Sequence, residues 1–137
     1  MIHFNFGLHD IAYRHPDSAE FGNRDKVRGV ISVTPEAYEK NLRQIVQLLK
    51  DAGATLIWAS TTLVPAGEVG RFEGDEIKYN AIAKKIMDEN GILINDLHAL
   101  TAQFPAEYFA GPGDVHYAPQ GNEHLAAQVV KFISKVL

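Results

Sequence analysis

Three short β-forming runs, each followed by a stretch with helical periodicity, restrict this chain to few folds. Ile2 to Phe6, "TLIWAS" (residues 55–60) and "ILINDL" (92–97) are apolar runs of strand length. After the first comes "SVTPEAYEKNLRQIVQLLKDAG", where Thr34 suits an N-cap, Pro35 the first helical position and Gly53 a left-handed stop. Val33 can staple onto Tyr38, and Tyr38, Leu42, Ile45, Val46 and Leu49 share one face. A second helix is expected from a cap at Asp75 through Asn90, closed by Gly91, with Ile77, Ile82, Ile86 and Met87 supplying its apolar surface. Pro119 opens a last helix whose buried stripe would be Leu125, Val129, Phe132, Ile133 and Val136. Strand–helix order repeated three times predicts right-handed crossovers and a parallel sheet covered on both faces, an α/β chain of three α/β/α layers.

In open parallel sheets, ligands gather beyond the carboxyl ends of the strands. The segments expected there are "GLHD" (7–10), "TTLVP" (61–65) and "NDLHAL" (95–100). The long stretches "AYRHPDSAEFGNRDKVRGVIS" and "TTLVPAGEVGRFEG" read as surface loops, and loops of that length are often functional. With 137 residues, a single domain over 1–137 is expected. Cysteine is absent, which excludes disulfides and thiolate metal sites. A formal charge of −4 with scattered Lys and Arg argues against a nucleic-acid partner. No run is long enough to span a bilayer, and "MIHFNFGLHD" lacks the pattern of a leader, so cytoplasmic is the default location, although a lost leader would leave the same trace.

Two clusters can do chemistry: His9 with Asp10, and Asp114 with His116 in "GPGDVHYAPQG". A loop His preceded by an Asp suits a general base, because the carboxylate fixes the ring tautomer and stabilises the imidazolium. The plainer alternative is a solvated loop His near a helix start. His98 and His124 have no spaced partner ligands, and His3 reads as a strand side chain. His9, Asp10 and His116 are the set from which a metal site could be drawn, but zinc wants three or four groups in a tight arrangement, and neither metal nor cofactor is expected. Thr61, Thr62 and Pro65 either shape a substrate pocket or serve a turn, and Trp58 and Phe72 read as packing.

"FNFGLHD", "IWASTTLVP" and "GDVHYAPQGNEHLAAQV", in this order and with these helices between them, resemble the later part of an SGNH (GDSL-type) hydrolase, a family of serine esterases and lipases. The resemblance implies a flavodoxin-like three-layer fold. It matches His116 to the catalytic base, Gly7 and Asp10 to the ends of a Gly-x-Asn-Asp motif, and His9 to the oxyanion-hole Asn. A neutral His can still donate one N–H to an oxyanion. Where the family pattern has Asp three residues before its His, this chain has Gly113, and Asp114 stands one place nearer. Either Asp114 orients His116 through a shifted loop, or a backbone carbonyl does.

The family's Gly-Asp-Ser block, with its first strand, has no counterpart here. The four serines are Ser18, Ser32, Ser60 and Ser134, and none follows a Gly-Asp pair. Ser60 and Ser18 could approach the rim, whereas Ser32 precedes a helix cap and Ser134 lies within a helix. The resemblance thus implies the C-terminal part of an esterase acting on a carboxylic ester or acetylated sugar, with the nucleophile outside these residues. It also leaves Ile2–Phe6 as an apolar edge strand suited to a second copy or another partner. A catalytically inactive binding or assembly module of the same fold is the main alternative, and a metal-dependent hydrolase a lesser one.

Overall fold

A computed structural model describes all 137 residues. Along the chain run β1 (Ile2–Phe4), β2 (Tyr13–Arg14), β3 (Val30–Ile31), α1 (Pro35–Asp51), β4 (Leu56–Ala59), α2 (Asp75–Glu89), β5 (Leu93–Asn95), α3 (Leu97–Thr101) and α4 (Pro119–Ile133). The main sheet is parallel, in the order β1-β4-β5, with His3 opposite Ile57 and Ile57 opposite Leu93. Central β4 is buried at every position, which is why it reads as an unbroken apolar run. Leu56 and Trp58 point to the face covered by α1 and α2, where Tyr38, Leu42, Val46, Tyr79, Ala83, Ile86 and Met87 complete the core. Alternate residues face the other way. There Asn95 meets α4, whose Gln128 Nε2 donates to Asn95 Oδ1 at 2.8 Å. The expected α/β fold with a parallel sheet is present, and it has three layers.

Helix α1 begins as its residues dictate: Thr34 Oγ1 accepts the Ala37 N–H, and Pro35 stands first. Gly53 and Gly91 follow α1 and α2 with φ of 68° and 63°, the left-handed stops expected of them.

Several boundaries differ from expectation for identifiable reasons. The strand expected over Ile2–Phe6 stops at Phe4, because Asn5 leaves the ladder and its side-chain Nδ2 takes the Ala59 carbonyl at 2.7 Å. Gly74, at φ 87°, caps α2 in place of Asp75, which becomes the first helical residue, and Glu76 Oε2 reaches back to the Gly74 N–H at 2.9 Å. Of the expected apolar set, Ile86 and Met87 are buried and Ile82 packs against the core, whereas Ile77, on the opposite face, is 57% exposed, and Tyr79 and Ala83 take inner positions. The strand expected to run to Leu97 ends at Asn95, since Asp96 accepts the Ala99 N–H and nucleates α3. Along α4 the predicted stripe is only half-buried, Gly121 is its one buried residue, and Val136 lies past its end. The stretch after "GLHD" is not all loop: Ile11 and Ala12 are buried, and Tyr13–Arg14 pairs antiparallel with Val30–Ile31.

Candidate active site

Beyond β1 the chain turns tightly through "GLHD", and its carbonyls are tied down. Ile11 N donates to Gly7 O at 3.0 Å, Val33 N to Asp10 O at 3.0 Å, and Arg71 Nε to Leu8 O at 2.6 Å. Tyr38 from α1 donates its hydroxyl to Phe6 O at 2.8 Å. Position 7 must be glycine: a Cβ there would lie 1.7 Å from Thr61 Oγ1. Fixed carbonyls leave the opposite polarity free, and the N–H groups of Leu8 and His9 have no acceptor in the chain. Free N–H donors on a rigid turn are what an oxyanion requires.

The second wall comes from the loop before α4. Gly113 sits at φ 70° and packs on residue 67, where an added Cβ would lie 2.7 Å from the Gly67 carbonyl oxygen. The turn it makes brings Asp114 back over His116. Asp114 Oδ1 accepts both the His116 backbone N–H at 2.9 Å and ring Nδ1–H at 2.6 Å. These two bonds, the backbone one first, hold the Asp114 carboxyl below its ordinary range. An ionised carboxylate can only accept, so it places the ring proton on Nδ1 and leaves the Nε2 lone pair facing outward, ready to take a proton.

His9, Asp114 and His116 share one cavity of about 250 Å³ at this rim, together with Arg14, Arg24 and Arg71. Under the arginines lies Glu68, fully buried, with its Oε1 3.1 Å from Arg24 Nη1 and 3.0 Å from Arg71 Nη1, and its Oε2 accepting the Gly70 N–H at 2.7 Å. Arg71 is itself 4% exposed, and burial pulls its guanidinium down from its ordinary value while Glu68 pushes it back up. This network joins the loop after β4 to the "GLHD" turn. Sequence reasoning missed it. The available signal was Glu68 and Arg71 on either side of Gly70, opposite charges three apart in a loop.

The remaining candidates lie off that wall. Asp10 is half-buried near Tyr38 and Tyr79, and burial raises its carboxyl. Thr61 is buried, its N–H held by Asn80 Oδ1 and its carbonyl by Asn80 Nδ2, both at 2.8 Å, so it supports the turn from below. Thr62 is half-buried beside it, and Pro65 lines a separate cavity with Phe104 and Phe109. Ser60 donates to Asp96 Oδ1 at 2.8 Å and accepts the His98 backbone N–H at 2.8 Å, which makes it part of the start of α3. Ser18 donates to Arg24 O and Ser32 to Ala12 O, while Ser134 ends α4. None of the four serines hydrogen-bonds a His ring. No three His, Asp or Glu side chains are grouped to hold a metal ion. His3, His98 and His124 lean instead on Asn95, Glu76 and Tyr108.

Solved structures of a lipase/acylhydrolase, an acetyl xylan esterase and an alpha/beta hydrolase share this fold. A lipase/acylhydrolase from Enterococcus faecalis matches 98% of this chain and 61% of its own, with a TM-score of 0.73 at 17% identity. An acetyl xylan esterase from Geobacillus stearothermophilus matches 94% of this chain and 57% of its own, with a TM-score of 0.66 at 16% identity. LAE5, an alpha/beta hydrolase enzyme from the metagenome of Lake Arreo, Spain, matches 76% of this chain and 48% of its own, with a TM-score of 0.60 at 17% identity. The chain therefore spans at most about three-fifths of the length of these structures, and what it shares with them is the fold. No family model and no curated protein matches it.

Proposed function

We propose that these residues form the base and oxyanion side of an SGNH-type ester hydrolase whose serine nucleophile comes from a segment outside residues 1–137. His116 takes the serine proton at Nε2 and returns it to the leaving alcohol. Asp114 holds the ring in the tautomer that allows this and stabilises the imidazolium that forms. The turn from Gly7 to His9 faces the carbonyl oxygen as it becomes negative, offering backbone N–H groups and the His9 ring, while Asp10, Thr61 and Thr62 support the rim. The substrate is a small acyl ester, either a carboxylic ester or an acetylated sugar. The 2.6 Å bond from His116 to Asp114, on a cavity wall shared with His9, carries this reading.

A test compares the chain alone with the chain fused to a strand bearing a Gly-Asp-Ser block, using 4-nitrophenyl acetate and a fluorophosphonate that labels activated serines. The chain alone should show neither turnover nor label. The fusion should show both, and His116→Ala should lower kcat by a factor of about 10² or more. A folded fusion that neither turns over nor labels would leave a binding module of the same fold.

A further inference from the structure

We infer that the cavity between His9 and His116 binds an oxyanion group, so that its ligand carries a carboxylate, phosphate or sulfate held by Arg14, Arg24 and Arg71. Each of the three guanidinium groups is fixed by the protein through Nε and Nη1. Arg71 bonds Leu8 O and Glu68, Arg24 bonds Phe21 O and Glu68, and Arg14 bonds Ser32 Oγ and Gly22 O. In all three, Nη2 has no partner within the chain, and all three residues line the same cavity of about 250 Å³. Arg71 is nineteen-twentieths buried at its side chain, so its charge is held out of water and not merely displayed on the surface.

The charge balance points the same way. Three permanent cations face two carboxylates, the buried Glu68 and, at the rim, Asp114, whose charge also acts on Arg24. The excess is positive on a chain whose formal charge is −4, which concentrates cations at one place against the general field. Guanidinium groups prefer planar or tetrahedral oxyanions, and bonds between them are the strong, charge-assisted kind. Nothing else within the chain uses these donors. Where the ligand is an ester substrate, as the proposed hydrolase function requires, the anionic group lies on the arginines while the carbonyl faces His116.

The test separates the two readings by measuring binding without turnover. The chain as it stands would be titrated with sodium phosphate and with sodium acetate, at constant ionic strength set by sodium chloride, following the Arg Nε–H and His ring signals by NMR. Saturable shifts at Arg71 and His116 are expected, with the midpoint raised about tenfold or more in Arg14→Gln and in Arg24→Gln, the cost of one charge-assisted bond. Arg14→Gln leaves the Glu68 network intact, so a weaker response there cannot be laid to unfolding, and thermal denaturation of both variants checks it. Tighter phosphate than acetate assigns a phosphoryl group, and the reverse a carboxylate. No cavity response beyond that to chloride, or an unchanged midpoint in Arg14→Gln, overturns the inference. Phosphate binding with no ester turnover in the serine-bearing fusion keeps the pocket and removes the hydrolase. Turnover indifferent to a carboxylate on the ester, without phosphate binding, does the opposite.

Discussion

At position 7 there is room for a hydrogen atom and nothing more, because Thr61 Oγ1 occupies the place of a Cβ. Gly7→Ala should therefore lower stability by about 3 kcal/mol, the upper part of the range for overpacking, and Thr61→Ala in the same chain should recover part of it. Urea denaturation of the single and double variants checks this, and simple additivity would show that the contact is relieved by backbone movement instead. The residue "GLHD" offers first was legible in the sequence as a strand stop. Its real constraint was not, since Thr61 is far away in the chain and meets it only when β1 and β4 align. The same holds for Glu68: its burial depends on Arg24, 44 residues distant, and a lone loop carboxylate gives no sign of such a partner. By contrast His116 and Asp114 are two apart, so the sequence offered their pairing as one of two possibilities, and the turn at Gly113 makes it.

Elements show a similar division between local and distant causes. Helix α1 has Thr34, Pro35 and Gly53 at its ends and was legible almost to the residue. Helix α2 was legible in extent and largely in phase: Ile86 and Met87 are buried and Ile82 packs against the core as expected, and of that set only Ile77 turns to solvent. Accordingly Ile77→Ser should change stability by no more than about 0.5 kcal/mol, whereas Ala83→Leu, at a position with no exposure, should cost about 1–3 kcal/mol. Chemical denaturation of the two variants decides the phase, and equal effects would contradict it. The contacts joining β1, β5 and α4 bring a pH dependence. Asn95 uses Oδ1 for Gln128, so its Nδ2 faces His3 Nε2 at 3.2 Å, and that bond needs a neutral ring with Nε2 accepting. Burial lowers the His3 pKa below its ordinary value. In the window below about 6.5 the unfolded chain then binds more protons than the folded one, so stability falls as pH falls. Urea midpoints at pH 7.5 and 5.5 should show that loss in the native chain and a smaller one in His3→Gln.

Over the whole molecule, the sheet has an unpaired edge. β1 pairs only with β4, and Met1 and Phe6, 48% and 43% exposed, flank it. An apolar edge with free backbone groups is a template for another strand. Sedimentation velocity should show association that rises with concentration and is weakened by Phe6→Lys; a monomer at every concentration would exclude this edge as a pairing surface. No helix is long and apolar enough to cross a membrane. What the sequence determined by itself was the alternation of strands and helices, hence the parallel sheet and the rim on which a site could form. It also offered His116 with Asp114 as a candidate pair. These follow from periodicity, capping and neighbours within a few residues, which physics reads locally. Only the tertiary structure decided that Arg14 of β2, Arg24 of the next loop, and Glu68 and Arg71 of the loop after β4 gather beside that pair, that Ser60 belongs to a helix start, and that Gly7 answers to Thr61. Each depends on loops brought together by strand register, and the desolvation that makes those charges and contacts matter exists only after the chain has folded.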